Sequence, residues 1–325
     1  MTGLIMPEDP GTDEMKFDLM PWHTEVMQRL LATAIGKKTP HAILLAGPKG
    51  TGKADSASWL AAALLCAQGE QAGPCGHCGA CELFGAGSHG DLRWLEPEEG
   101  KRAIGIEPVR EAARFLQQTA GYGERKLLVI APAEAMTISA ANALLKTLEE
   151  PPGDSVIVLV SDRPDDLPPT VRSRCQIFVL PCPGEEESVQ WLRVREEFAD
   201  GDCRRAVKLA FGRPKEALAL LESGALNEWQ ALSDQCANLI AGRQSPNSVA
   251  EALLAWELDP ALSLVVRMVE EAVRTNISVN PGGVRHALAS RDTVLEWLSA
   301  HRRGVNISRD LVIRESCQML HKALT

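Results

Sequence analysis

The sequence predicts an α/β protein: a phosphate-loop (P-loop) domain on a five-stranded parallel sheet, then a small helical domain, then an all-helical C-terminal domain. Three observations carry this. Gly47-Pro48-Lys49-Gly50-Thr51-Gly52-Lys53 has the G-x-x-x-x-G-K spacing and lies between an apolar run and a helical pattern, the strand–loop–helix order such a loop requires. Five near-continuous apolar runs alternate with helical stretches, the pattern of a parallel sheet covered on both faces. Beyond Pro181-Cys182-Pro183-Gly184 the chain reads as helix throughout.

The elements follow in order. Residues 1–15 read as a flexible tail, and Trp22 to Ile35 as an amphipathic helix. Strand Ala42 to Ala46 feeds the glycine loop, and a helix runs from Lys53 to Ala67. A Cys/Gly/His loop, Gly73 to Cys81, precedes a strand near Leu92 to Leu95. Pro108 is tolerated in a first helical turn, so a helix is expected from near Ile106 to about Thr119. Strand Lys126 to Ile130 comes next. Thr137 or Ser139 then caps a helix through Glu150, stopped by Pro151-Pro152. Val156 to Val160 and Ile177 to Leu180 read as buried strands. Helix breaks are expected near Gly201, Gly212 to Pro214, Gly242 to Pro246 and Pro281 to Gly283. The resulting domains are 16–181, 182–224 and 225–325.

At 325 residues and 45 % apolar content the chain has enough material for two or three cored domains. Aromatic residues are only 4 %, with a single Tyr, which leaves little for base stacking. With 34 basic against 43 acidic residues the net charge is −9, a poor balance for nonspecific nucleic-acid binding. Met1 to Glu14 has no secretory pattern. The longest apolar stretch, Trp59 to Ala67, falls short of the roughly 20 residues a bilayer needs. A cytosolic protein is expected, and there nine cysteines point to metal or free thiols rather than disulfides.

Glycines let main-chain N–H groups approach phosphate, and a helix N-terminus adds its positive end. Gly47, Gly50, Gly52 and Lys53 are thus the candidate contacts for ATP or ADP, with Lys53 reaching the β- and γ-phosphates. The alternative is a relic loop that keeps its shape and binds nothing. Ala54 stands where a Ser or Thr hydroxyl would ligate Mg²⁺, and Ala131-Pro132 follows the strand that should deliver acids. Glu134, two residues on, is expected to point elsewhere unless the strand end bulges. Hydrolysis is therefore not expected.

Cys75-x2-Cys78-x2-Cys81, with Cys66 nine residues earlier, suits a closed tetrahedral Zn²⁺ site of structural type. Free thiols and a redox CxxC are the alternatives, and His77 or His89 is a possible substitute for one thiolate. Arg174, in Arg172-Ser173-Arg174-Cys175, has the setting of an arginine finger acting on a neighbour's phosphate; the plainer reading is a surface ion pair. Lys101, Arg102 and Arg110 flank a helix start and are candidate DNA-phosphate contacts, or simply a solvated face.

Asn142-Ala143-Leu144-Leu145-Lys146-Thr147-Leu148-Glu149-Glu150-Pro151-Pro152, Pro40-His41-Ala42 before the loop, the four-cysteine spacing and Ser173-Arg174-Cys175 together resemble the AAA+ clamp-loader family of bacterial DNA polymerase III. The resemblance is specific over roughly 20–225 and weaker beyond. It implies a hetero-pentameric ring with gamma/tau and delta subunits that opens the sliding clamp and loads it on primed DNA, in the cytoplasm and away from membranes. Within the family the decayed loop looks like a subunit that does not hydrolyse ATP. By the same resemblance Arg174 is the finger serving an adjacent ATPase site, Cys66, Cys75, Cys78 and Cys81 are the zinc ligands, 182–224 is a lid, and 225–325 is the collar that holds the ring. Lys215 falls where motor subunits carry a sensor arginine. Two other readings compete: an active AAA+ ATPase with unorthodox metal ligands, and a stand-alone zinc-containing DNA-binding protein.

Overall fold

A computed structural model describes residues 17–34, 40–69, 73–123, 125–195, 198–276, 281–302 and 305–322. The expected tail at 1–15 lies outside them. The chain divides into two compact units: the described residues up to Gly184 together with Arg213–Lys215, and Glu185–Gly212 with Glu216 onward.

The first unit is built on a parallel sheet in the order β2-β3-β4-β1-β5. The strands are β1 Ala42–Ala46, β2 Leu92–Leu95, β3 Lys126–Ile130, β4 Ser155–Ser161 and β5 Gln176–Val179. Its helices are α1 Thr24–Ala34, α2 Lys53–Leu65, α3 Gly79–Gly85, α4 Ile106–Leu116, α5 Ile138–Glu149 and the short α6 Pro169–Arg172. Successive residues of a strand face opposite sides, so each central strand feeds two cores. Leu45, Val129 and Val158 pack with Leu60 of α2 and Met27 of α1. Leu44, Leu128 and Ile157 pack with Val109 of α4 and Leu144 of α5. Burying a Leu or Val side chain is worth about 1.5–3 kcal/mol, which is why β1, β3 and β4 are apolar at nearly every position.

The edges differ. Ile177 and Val179 of β5 are 49 % and 69 % exposed, and within the strand only Phe178 is buried. The expectation of a buried β5 is thus wrong. An apolar run does not say whether a strand has a neighbour on each side, and β5 has β1 on one side only. At the other end of the sheet a charged pair enters the interior. Lys126 Nζ lies 3.1 Å from Asp91 Oδ1 and 4.1 Å from the centre of the Phe115 ring. Burial opposes the Asp91 charge, but N–H groups of Gly121 and Tyr122 and the Lys126 ammonium outweigh it and hold its carboxyl below the usual range.

Helix boundaries follow local chemistry. The Thr137 hydroxyl accepts the Ala140 N–H at 3.2 Å and starts α5; such a cap is worth about 1 kcal/mol. Pro151-Pro152 follows its end.

The second unit is helical: α7 Glu185–Arg195, α8 Asp200–Leu209, the greater part of α9 Pro214–Glu222, α10 Leu226–Ile240, α11 Pro246–Leu253, α12 Leu258–Asn276, α13 Pro281–Arg302 and α14 Arg309–Lys322. Trp229 and Trp256 meet edge to face with ring centres 4.8 Å apart. Arg309 donates to the carbonyls of Leu254 and Trp256 just past α11, supplying donors a helix C-terminus lacks. Gly201 lies inside the first turn of α8 rather than at a break, which falls before Asp200. Among the described residues no helix is long and apolar enough to cross a membrane.

Candidate functional site

The glycine loop joins β1 to α2. Gly52 is the N-cap of α2 with φ +84°, and a Cβ there would sit 2.4 Å from Met20 Cγ. A Cβ at Gly47 would lie 2.6 Å from the Leu180 carbonyl oxygen. Both positions therefore require glycine on packing grounds alone. The segment before α1 closes over the loop: Met20 is fully buried, and Trp22 Nε1 donates to Thr51 O at 2.9 Å.

Lys53, 3 % exposed at its side chain, is held within the chain. Its Nζ donates to Pro48 O at 2.6 Å and lies 2.5 Å from Asp162 Oδ1. Lys215 is tied to the same region: its N–H donates to Gly50 O at 3.0 Å and its Nζ lies 3.0 Å from Asp55 Oδ1. His23 sits beneath the loop, its Nδ1 2.7 Å from Ser56 Oγ and its Nε2 3.2 Å from Pro181 O. The consistent neutral form has Nε2–H donating to Pro181 and Ser56 donating to Nδ1. Burial, and then the Lys53 charge, lower the His23 pKa to about 4.

The side chains of Ala54, Ala131 and Pro132 offer no ligand atom for a metal. Glu134 lies beyond the end of β3. It enters a short turn at Ala133–Ala135, its side chain is 3 % exposed, and it accepts the Asp162 N–H at 3.0 Å. Burial, then the Asp162 carboxylate, push its carboxyl above the ordinary value. Gly47, Gly50, Gly52 and Lys53 remain the candidate phosphate contacts at the N-terminus of α2.

Arg174 follows α6 and meets the end of α5. Its Nε donates to Glu149 Oε1 at 2.7 Å, its Nη2 also bonds Glu149, and its Nη1 donates to Thr170 O at 2.8 Å. Its side chain stays one-third exposed (33 %). The two motifs Leu148-Glu149-Glu150-Pro151 and Ser173-Arg174-Cys175 thus touch, and Pro40-His41-Ala42 joins them through His41 Nε2, 3.1 Å from Leu148 O.

Cys66, Cys75, Cys78 and Cys81 come together with all sulfurs within 4.8 Å of one another. Cys66 Sγ lies 3.8 Å from Cys78 Sγ, and Cys75 Sγ 3.9 Å from Cys81 Sγ. A tetrahedron with Zn–S bonds of about 2.3 Å has edges of about 3.8 Å, so the sulfurs fit Zn²⁺. The Cys66 sulfur accepts N–H groups of Gln68 and Cys75 at 3.4 Å each. Burial pushes the Cys81 thiol up to about 12, and sulfurs this close ionise together only around a cation. Neither histidine belongs to the cluster: His77 Nδ1 is 2.7 Å from Cys75 O, and His89 Nδ1 accepts the Asp91 N–H. Four thiols closing in one place left no position for an imidazole.

The DNA-contact candidates lie between β2 and α4 (Lys101, Arg102) and within α4 (Arg110). Lys101 pairs with Glu98 and Arg110 with Glu107 at the surface, and Arg102 is exposed. Sequence reading missed Asp162 and Glu149. Asp162 had a signal, since groups just past the carboxyl ends of parallel strands line ligand crevices.

The family model for DNA polymerase III, delta subunit, matches residues 22–183. The DNA polymerase III subunit delta′ of Pseudomonas aeruginosa is 39 % identical over 318 residues, 94 % of this chain and 93 % of the relative. That of Escherichia coli is 36 % identical over 216 residues, 66 % of this chain and 64 % of the relative. A solved DNA polymerase III gamma subunit-related protein from Thermotoga maritima aligns over 93 % of this chain and 99 % of its own, with 19 % identity and a TM-score of 0.44.

Proposed function

The chain belongs to the DNA polymerase III delta′ subunit family, and on that premise we propose that it is a non-hydrolysing member of a clamp-loader ring. The observation that carries the reading is an intact glycine loop beside Ala54, Ala131 and Pro132. Phosphate-binding shape is kept while the groups that would hold a metal and orient water are gone. The subunit then works by position. Its neighbours are gamma/tau and delta subunits, the ring loads a sliding clamp on primed DNA in the cytoplasm, 182–224 serves as lid and 225–325 as collar.

Arg174 is the group this subunit lends. Its guanidinium is planar, permanently charged and one-third exposed. Glu149 orients it in the lone chain, and a neighbour's phosphate would compete for the same N–H groups. Zn²⁺ bound by Cys66, Cys75, Cys78 and Cys81 supplies no chemistry beyond cross-linking the loop that leaves α2.

The test is ATP turnover, stimulated by DNA and clamp, in a reconstituted complex carrying Arg174→Ala. A finger contributes about 10³–10⁵ at its own site, so turnover at the site it serves should all but vanish, and the complex should lose at least that site's share with assembly intact. Unchanged turnover would leave the chain as scaffold alone. Magnesium-dependent turnover by the isolated chain, lost on Lys53→Ala, would replace this reading with that of an active ATPase.

A further inference from the structure

We propose that Asp162 is an internal counter-ion for Lys53, holding the loop in a phosphate-free state and setting its affinity for nucleotide. The proposal rests on reading Gly47 to Lys53 as a phosphate loop that does not hydrolyse. An ammonium has three N–H donors, and here the chain itself takes up its charge: Asp162 Oδ1 lies 2.5 Å away, and Pro48 O, part of the loop, accepts at 2.6 Å. With Lys53 only 3 % exposed and Asp162 27 %, water screens this pair less than a surface pair.

Asp162 is fixed from behind. Its N–H donates to Glu134 Oε1 at 3.0 Å, and Glu134 Oε2 is buried with no hydrogen-bond partner among the described residues. Glu134 Oε1 also lies 4.0 Å from Arg163 Nε, so Asp162 is the carboxylate that holds Lys53. Lys215, whose N–H donates to Gly50 O, is paired with Asp55, and Lys49 of the loop itself is exposed to water. An incoming phosphate must break the Lys53–Asp162 contact and then lie beside the displaced carboxylate. Removing the Asp162 charge lifts both obstacles.

The full-length chain and its Asp162→Asn and Asp162→Ala forms are titrated with ADP and with ATP by calorimetry, each with and without Mg²⁺. Both variants should bind at least about tenfold tighter than the unsubstituted chain, and adding Lys53→Met should abolish the gain. Equal binding by all three chains, tight or undetectable, overturns the proposal. Both variants are expected to fold, because Glu134 holds the Asp162 main chain rather than its carboxylate. A second readout needs no nucleotide. Lys53→Met should lower the thermal midpoint more in the Asp162 chain than in the Asp162→Ala chain, and additive effects would overturn the pairing. Ring membership is judged separately, by whether the unsubstituted chain enters the reconstituted complex.

Discussion

His23 shows how a single buried side chain couples the loop to solution conditions. It is fully buried, and its native pKa of about 4 compares with 6.5 for an unhindered histidine. Between these values the unfolded chain binds a proton that the native chain refuses. Stability is therefore complete above about pH 6.5 and is lost as pH falls toward about 4, by up to about 3 kcal/mol. His89, also held below its ordinary value by burial, acts with the same sign. Urea midpoints measured from about pH 7.5 down to about pH 5 should fall, and His23→Gln should flatten part of that slope. A slope unchanged in the variant would mean that the proton goes elsewhere. At the same scale, Arg174 and Lys53 each have a carboxylate partner within the chain, but with different exposure. Arg174 is open enough to change partners, whereas Lys53 is enclosed with its own.

Elements were legible where local chemistry decides them. The runs at β1 and β3, the cap at Thr137 and the stop at Pro151 are written in a few adjacent residues each, and the structure agrees with them. The four cysteines were legible because their spacing is chemical rather than structural. What the sequence hid was anything set by the sheet's order. Nothing in Gln176 to Val179 says that β5 is an edge, and nothing near Glu134 says that a turn will drive its carboxylate under Asp162. The four-cysteine cluster makes its own prediction. Cys66 caps α2 and also joins the cluster, so chelating the metal should free the 66–91 stretch while leaving the sheet intact. Limited proteolysis with and without chelator should find new cuts within 66–91 and only a small change in the thermal midpoint. Zinc missing from the intact protein by elemental analysis would refute the site itself.

For the whole molecule, charge sets the partner rule. At −9, with Lys101 and Arg110 already paired to glutamates, the lone chain should bind DNA weakly even at low salt. Anisotropy with primed DNA should give no tight, salt-sensitive binding until the other ring subunits are added, and tight binding by the chain alone would favour the stand-alone DNA-binding reading. The packing of Gly47 and Gly52 also bears on ancestry. Those glycines answer to a backbone carbonyl and a methionine as well as to any phosphate. A lineage that abandoned nucleotide altogether would still be selected to keep them. A glycine loop held by its own neighbours is no proof of a ligand, and genome surveys that count glycine loops will overcount ATP-binding proteins wherever the glycines are retained by such packing.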